Sequence, residues 1–378
     1  MIDFELAPEQ EALQQSAREF LARECPPLLV RDCMPVADGV PRGLYREMAA
    51  LGWMGVLVPE TQGGLGAGAI ELAALCEELG RVAAPGPFLS TQLVIAALLR
   101  GGTAAQKRAW LPRLMAGEMF GALAYHEEGA GHDAASVQLR ATRARGGFVL
   151  AGRRPLVLDA PAADLLLVAA RTRPGRGDDG ITLFAVERGH AGVHVTPHAV
   201  LDITRRVGTV ELRRAHLGRD TVLGGEGKGG ALLARLLDLA CLGIAADSLG
   251  GAARTLEMAL EYAKVREQFG RKIGSFQAIK HLLAEMVADV EPARSLVWHA
   301  AYAADRSTRE RARAAAIAKA ALSDVYSRTA RRSVEIHGGI GFTWEFDLNI
   351  WFKRAHLSEA LFGDPAWHRE RLAALDGY

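Results

Sequence analysis

The hydrophobic pattern of this chain changes twice, and no other feature of the sequence constrains the fold as much. From Pro8 to about Gly117, apolar residues recur at the spacing of a helix, as in "AIELAALCEELGRVAA". From about Phe120 to Leu217 they alternate as in strands, in "SVQLRAT", "GFVLAG", "ITLFAVE" and "VGTVELRRAHL". After "GGEGKGG" the helical spacing returns. These patterns predict an α+β chain with an N-terminal helical domain (1–119), a small middle β domain (120–225) and a C-terminal helical bundle (226–378).

Two segments of the predicted bundle have distinct hydrophobic patterns. The run 231–246 is apolar on nearly every side, which predicts a buried central helix. Further on, Ile279, Leu282, Leu283 and Met286 follow the spacing of an amphipathic helix. That helix is expected to begin just after Ser275, because serine is a favoured N-cap residue.

The composition is that of a globular chain without a strong charge bias. Of the 378 residues, 49% are hydrophobic and 24% charged, and the net charge is +1, so charge gives no reason to expect nucleic acid or a membrane as a partner. No apolar run is long enough to span a bilayer. The cysteines have no CxxC spacing and are expected to be reduced core residues of a cytoplasmic protein. They are Cys25, Cys33, Cys76 and Cys241.

The stretch "VEIHGGIGF" at 334–342 places three glycines after a long alanine-rich helical pattern. One interpretation is structural: the helix ends at His337, and Gly338 is its left-handed C-cap. The other is functional: the bare backbone lets N–H groups approach a phosphate. The stretch by itself does not decide between them.

A second stretch, "REQFGRKIGSFQAIKHLLAEM" at 266–286, gives these glycines a context. Together the two stretches resemble the acyl-CoA dehydrogenase family, in which Arg-x-x-Phe-Gly, a following Phe-Gln and a later Gly-Gly-x-Gly-Phe occur in this order. The stretch "PETQGGLGAGAIELAALCEELGR" at 59–81 resembles the first-domain signature of that family. The resemblance covers essentially the whole chain and implies a helical domain, a β domain and a four-helix bundle.

The resemblance implies FAD as the cofactor, with its ADP portion held by the C-terminal domain and its ring mainly in a neighbouring subunit. Arg266 would pair with the pyrophosphate, for which a forked cation is suited. Gly338 and Gly339 would present backbone amides, and Gln277 would donate a hydrogen bond. Glu335 stands where the family usually has Gln, and its carboxylate would have to be protonated or turned toward the adenosine hydroxyls. The implied cofactor-binding residues are Arg266, Gln268, Phe269, Gln277, Glu335, Gly338 and Gly339.

The family reaction is α,β-dehydrogenation of an acyl-CoA thioester, in which a carboxylate takes the α proton and the flavin takes a hydride. The resemblance therefore also implies an acyl-CoA substrate, an electron-transfer protein as acceptor, and a homo- or heterotetramer. The flavin-contacting segments depart from the family pattern, however. In "HEEGAGHD" at 126–133, His126 and His132 replace small hydroxyl residues, and Leu156 and Leu158 replace a Trp and a Thr. A metal site in this loop is less expected than a solvated loop, because the ligand spacing is wrong.

The catalytic base of the family is also missing. Phe362 or Gly363 occupies its usual position, and Ala240 occupies the alternative position that a minority of the family uses. Asp364 is the nearest carboxylate to the usual position, and Glu359 lies about one turn earlier; a surface charge or a helix cap is the commoner role for either.

Two hypotheses of different class follow. In the first, the chain is the base-lacking subunit of a hetero-oligomer and provides the ADP-binding part of a site that a partner chain completes. In the second, it is a self-sufficient acyl-CoA dehydrogenase with an unconventional base such as Asp364. The coincident losses of ring contacts, base and alternative base favour the first. A helical scaffold without a cofactor is disfavoured by the Arg266 to Gly341 pattern.

Overall fold

The computed structural model describes residues 6–175, 177–306 and 308–378. It has the predicted order of helices, strands and helices. The helices are α1 (Pro8–Glu24), α2 (Pro27–Asp32), α3 (Arg42–Ala50), α4 (Ala69–Arg81), α5 (Phe88–Gly101), α6 (Ala104–Met115), α7 (Gly230–Val265), α8 (Gln277–Ala303), α9 (Thr308–His337), α10 (Leu348–Ala360) and α11 (Pro365–Asp376). The strands are β1 (Gly121–Ala124), β2 (Ala141–Ala144), β3 (Gly147–Leu158), β4 (Leu165–Arg171), β5 (Ile181–Glu187), β6 (Val193–His198), β7 (Val207–Gly218), β8 (Val222–Leu223), β9 (Glu267–Gln268) and β10 (Arg271–Lys272).

The β domain is a sandwich of two four-stranded sheets, in the orders β1-β4-β5-β8 and β2-β3-β7-β6. Within it, β1 and β4 are parallel and the other pairs antiparallel. The first sheet is covered on both faces, by the second sheet and by α5 and α7. This explains why β4, "LLLVAAR", is an unbroken apolar run, whereas β7 alternates: its sheet has one exposed face.

The strand predicted from "SVQLRAT" is shorter in the structure and begins only at Ala141. The preceding residues are held by side chains instead of by a sheet. Asp133 caps a 3-10 turn by accepting hydrogen bonds from the N–H of Ser136 at 2.9 Å and from its hydroxyl at 2.6 Å. Glu127 then accepts the N–H groups of Gln138 and Leu139. Local side-chain hydrogen bonds of this kind compete with a strand ladder.

The bundle is built around α7, whose 36 residues include the run 231–246, and most of that run is buried as predicted. The helix α8 follows the predicted amphipathic pattern but begins at Gln277, after Phe276. Ser275 is therefore not its N-cap: it closes a 3-10 turn, and its hydroxyl donates to the Lys272 carbonyl at 2.7 Å. At the end of α9 the structural interpretation of the glycine turn fits, since α9 ends at His337 and Gly338 has a φ of +65°.

One buried carboxylate, Asp247 on α7, ties the three parts of the chain together. It accepts hydrogen bonds from Arg205 of the β domain at 2.7 Å and from the Nε of Arg354 on α10 at 3.1 Å. Arg354 also donates to the Ala84 carbonyl of the N-terminal region at 3.1 Å, and Arg205 donates to the Ser358 hydroxyl at 2.7 Å. Burial opposes the charge of Asp247, but the two guanidiniums outweigh it and lower its pKa.

Candidate functional site

A cavity of about 150 Å³ lies where the β domain meets the end of α10. We call it the Phe362 cavity. Of the described residues, those that line it are mostly apolar or aromatic, and none carries a carboxylate. They are Leu123, Tyr125, His126, His132, Leu156, Val157, Leu158, Val200, Val207, Leu357, Ala360, Leu361 and Phe362.

Phe362 and Gly363 are the two residues predicted to stand at the position of the missing base, and Phe362 lines the cavity. Its ring stacks on Tyr125 with centroids 6.3 Å apart and planes 4° from parallel. The backbone turns sharply here, with φ of +58° at Phe362 and +102° at Gly363. A Cβ at Gly363 would lie 2.7 Å from Cε3 of Trp367, so position 363 has no room for a glutamate. The wall that would present a base is therefore closed by an aromatic ring.

Asp364 lies outside the residues that line the Phe362 cavity. Its Oδ1 accepts the backbone N–H of Trp367 at 2.8 Å, and this makes it the N-cap of α11. The residue is exposed. A side chain held in this way stabilises a helix start, which is the commonest use of an aspartate at such a position.

A buried lysine that the sequence analysis did not single out holds this turn in place. The Nζ of Lys319 donates to the Gly363 carbonyl at 2.9 Å, the Glu359 carbonyl at 3.1 Å and the Ser323 hydroxyl at 2.9 Å. Burial lowers the pKa of Lys319 to about 8. A lysine within an alanine-rich helical stretch gives no sequence signal of such a role.

His126 and His132 form an aromatic wall of the Phe362 cavity. Their rings are stacked with centroids 4.9 Å apart, and His132 meets Trp367 edge to face. Burial lowers the pKa of both, helped by Arg154 for His126 and by His126 for His132, so both are neutral near pH 7. In the described ranges no group of three or more His, Cys, Asp or Glu side chains could hold a metal ion.

Glu127 of the same loop has a structural role, and Leu156 and Leu158 of β3 are apolar. Glu127 pairs with the buried Arg154, and this contact and the two backbone N–H groups it accepts outweigh its burial and lower its pKa. Leu156 and Leu158 both line the cavity, although Leu156 is 58% exposed and has a φ of +54°. Neither leucine can stack on or hydrogen-bond to a polar heterocycle.

The alternative base position is equally apolar. Ala240 is fully buried in the core that the first sheet shares with α5 and α7. Nearby, the Sγ of Cys241 lies 3.8 Å from Nε2 of His368, and burial raises the pKa of Cys241 to about 11. The thiol is therefore protonated near pH 7 and is not a nucleophile. All four cysteines are buried and free.

The predicted cofactor-binding residues lie at the opposite end of the bundle. A stack of Tyr262 on His337, with centroids 4.4 Å apart, brings together the ends of α7 and α9. The segments that follow α7, namely the β9–β10 hairpin and the start of α8, and the glycine turn that follows α9 therefore lie at the same end of the bundle, which we call the bundle-end surface. All seven predicted residues on it are exposed: Arg266, Gln268, Phe269, Gln277, Glu335, Gly338 and Gly339.

The bundle-end surface has an unusual combination of a free cation, open backbone and exposed aromatic rings. Within the part of the chain that the structure describes, the Arg266 side chain makes no hydrogen bond or ion pair. A Cβ at Gly338 or Gly339 would meet nothing within 4 Å. Phe269 is 92% exposed and Phe342 is 73% exposed. Exposed apolar patches are typical of surfaces that bind a partner or a ligand.

Comparisons with known proteins agree with the family pattern along the whole chain. Models of the acyl-CoA dehydrogenase N-terminal, middle and C-terminal domains match residues 7–118, 122–213 and 227–375. The chain belongs to the acyl-CoA dehydrogenase family. It is 33% identical to an acyl-CoA dehydrogenase of Bacillus subtilis (strain 168) over 365 residues, which cover 94% of each chain.

Solved structures of this family have the same fold. Butyryl-CoA dehydrogenase from Megasphaera elsdenii superposes with a TM-score of 0.88 at 29% identity and 99% coverage of each chain. A chain of the ChsE4-ChsE5 complex from Mycobacterium tuberculosis superposes with a TM-score of 0.90 at 28% identity and full coverage of each chain. The predicted fold class, a helical domain, a β domain and a helical bundle, is thereby confirmed.

Members of the acyl-CoA dehydrogenase family use FAD, and the two ends of this chain differ in how well they suit it. The bundle-end surface fits the ADP portion, because it offers an unpaired guanidinium and glycine backbone open to close approach. The Phe362 cavity fits the ring poorly, because its walls are leucine and aromatic side chains. The helix α10, with 13 residues and hence about 20 Å long, separates the two.

No helix among the described residues is both long enough and apolar enough to cross a membrane.

Proposed function

We propose that this chain is the base-lacking subunit of a hetero-oligomeric acyl-CoA dehydrogenase. The observation that carries the proposal is the lining of the Phe362 cavity, which within the described residues includes the aromatic ring of Phe362 and no carboxylate. The partner subunit would supply the flavin pocket and the glutamate. The assembly would be a two-plus-two heterotetramer with one FAD per heterodimer, which acts in the cytoplasm on an acyl-CoA and passes electrons to an electron-transfer protein.

The role of this chain in the assembly is to hold one half of the cofactor. Arg266 binds the pyrophosphate, Gly338 and Gly339 donate backbone N–H groups, and Gln277 donates a hydrogen bond from the start of α8. Glu335 turns toward the adenosine hydroxyls. Gln268 and the exposed Phe269 line the same surface. FAD, when bound, supplies the acceptor for the hydride that leaves the β carbon of the substrate.

Three observations support a shared site. The predicted ADP-binding residues are exposed, as expected of a surface that a second subunit completes. The helix α10 lies between them and the Phe362 cavity of the same chain. The ChsE4-ChsE5 structure, which this chain resembles, is a complex of two named proteins.

The alternative, a self-sufficient enzyme that uses Asp364 as its base, gains nothing from the geometry. Asp364 would have to give up its hydrogen bond to the N–H of Trp367 and move from an exposed position to the cavity. It is also one methylene shorter than glutamate. It remains the alternative that activity measurements must exclude.

Flavin content distinguishes the two hypotheses at the level of binding. The chain should be purified alone and together with a family member that carries the glutamate, and its visible spectrum and sedimentation recorded. We expect little flavin in the chain alone and about one FAD per pair of chains in the mixed tetramer. A homotetramer of this chain with one tightly held FAD per subunit would contradict the proposal, as would a stable monomer at micromolar concentration with or without the partner.

A further inference from the structure

A second and larger cavity, of about 280 Å³, lies between the N-terminal helices and the bundle. We call it the Arg235 cavity. On α7 it is lined by Arg235, Leu236, Asp238, Leu239 and Leu242, and it shares no lining residue with the Phe362 cavity. Its volume lies just below the range for small-molecule sites, which is about 300–1,000 Å³.

The walls of the Arg235 cavity are aliphatic. It is lined by Leu239 and Leu242 of α7, by Ala96 and Leu99 of α5, and by Ala300 of α8. Side chains of this kind offer an apolar surface without hydrogen-bonding groups. They suit the hydrocarbon portion of a ligand.

The charged residues of the cavity contact one another and carry an excess of positive charge. Arg100, Arg235 and Arg311 line it, against Asp238 and Asp305. Asp238 is already committed, because it accepts from the Nε of Arg311 at 3.0 Å and from Arg371 at 2.7 Å. Among the described lining residues, the carboxylate left for Arg100 and Arg235 is that of Asp305, whose side chain is 72% exposed.

The environment of Arg235 shows the consequence of this excess of positive charge. Burial, and after it the charges of Arg100 and Arg311, lower the pKa of the Arg235 guanidinium. The contact with Asp305 raises the pKa of Arg235, but this contact is exposed and does not outweigh the effects that lower it. A second anion at this position would lower the electrostatic energy of the arginine pair.

Asp305 also indicates which anion the pair accepts. Its carboxylate Oδ1 lies 2.5 Å from Arg235 and 3.5 Å from Arg100, between the two guanidiniums. Guanidinium forks match the planar geometry of a carboxylate. A carboxylate with an aliphatic tail would place its head group beside Asp305 or in its place, and its tail among the leucines and alanines.

We infer that the Arg235 cavity binds an aliphatic carboxylate of short to medium chain length, with the carboxylate on Arg235 and Arg100 and the hydrocarbon chain between α5 and α7. This site is separate from the Phe362 cavity and does not depend on the proposed function. Because it lies between the N-terminal helices and the bundle, its ligand joins the two.

Calorimetric titration of the full chain with octanoate tests the head and the tail separately. Octan-1-ol has the same tail without the charge, and inorganic phosphate has charge without the tail. We expect saturable octanoate binding, and at least about tenfold weaker binding of both comparison compounds, since the loss of a charge-assisted contact has about this effect. Octan-1-ol that binds as tightly as octanoate, or no octanoate binding at millimolar concentration, would overturn the inference.

Three variants locate the ligand. Arg235→Gln should weaken octanoate binding at least about tenfold, and Asp305→Asn should strengthen it by removing the competing carboxylate. Arg331→Gln, an exposed arginine at the far end of α9, is the matched control and should leave binding unchanged. Unfolding temperatures establish that each variant is folded. Octanoate binding that is the same in Arg235→Gln and Asp305→Asn would place the ligand elsewhere and overturn the assignment.

Discussion

At the scale of single residues, Phe362 and Lys319 define what this chain can do at its cavity. Phe362 occupies the wall from which a base would act, and Lys319 fixes the carbonyls behind that wall at 2.9 and 3.1 Å. The sequence alone predicted the loss of the carboxylate, because position 362 lies at a recognisable distance from the family motif. It could not predict the role of Lys319, because the carbonyls that its Nζ binds belong to residues 40 and 44 positions further along the chain. Contacts over such distances leave no local sequence pattern.

Lys319 gives a pH-dependent contribution to stability that can be measured. The pKa of Lys319 is about 8 in the folded chain, whereas the ordinary value for an unfolded chain is 10.5. Between pH 8 and pH 10.5, the unfolded chain therefore binds more protons at this position than the folded chain does. The free energy of unfolding should therefore rise as pH increases from 8 to 10.5, by up to about 3 kcal/mol from this group. Denaturant titrations at several pH values should show this rise in the parent chain and not in Lys319→Met. Lys280→Met, at an exposed position, should keep it.

The absence of a difference between the parent chain and Lys319→Met across that pH range would mean that Lys319 is solvated, and not held by the Gly363 turn.

Arg266 is the residue on which the cofactor assignment depends most. Arg266→Ala should weaken flavin retention by about 1.5–3 kcal/mol, or roughly ten- to a hundredfold, because a charge-assisted contact to the pyrophosphate is lost. Flavin occupancy at limiting FAD, in the oligomer that binds it, measures the effect. Arg108→Ala, another exposed arginine, is the control. Equal occupancy in the two variants would remove Arg266 from the site.

At the scale of elements, hydrophobic spacing predicted most of the helices and strands, and hydrogen bonding decided the exceptions. The helix α7 and the strand β4 were recognisable because burial on several sides leaves long apolar runs. The start of α8 at Gln277 and that of β2 at Ala141 were not, because turns that depend on side-chain hydrogen bonds fix the preceding segments. The packing of α7 against α10 through Asp247 also has no sequence signal, because its partners are 42 and 107 residues away.

The Asp247 network should be essential for joining these elements. Asp247→Ala would leave the guanidiniums of Arg205 and Arg354 buried without their carboxylate, which costs about 3–5 kcal/mol. Asp289→Ala is the matched control, since Asp289 also binds two arginines, Arg328 and Arg332, but at the surface. Asp289→Ala should lower the free energy of unfolding by no more than about 1 kcal/mol. Denaturant unfolding of both variants at neutral pH measures the two effects.

A loss as small in Asp247→Ala as in Asp289→Ala would show that water reaches the two buried guanidiniums and that the three parts of the chain are held together by apolar packing instead.

At the scale of the whole molecule, the two ends of the chain differ in what they keep of the family pattern. The bundle-end surface has every residue type expected to bind the ADP portion except at Glu335, whereas the lining of the Phe362 cavity, within the described residues, has leucines at positions 156 and 158 and no carboxylate. The fold was predictable because it depends on patterns spread over the whole chain. Domain limits at 119/120 and 225/226 and the division of labour between subunits remain predictions, because they depend on linker positions and on a second chain.

The turnover of acyl-CoA by the pure chain, loaded with FAD and supplied with an artificial electron acceptor, tests the central claim most directly. A panel of acyl-CoAs should be assayed with the parent chain and with Asp364→Asn. General-base catalysis contributes about 10²–10⁴ in rate, so we predict negligible turnover by both, restored only when a glutamate-bearing partner chain is added. Robust turnover by the chain alone that Asp364→Asn abolishes would contradict the account and make Asp364 the base.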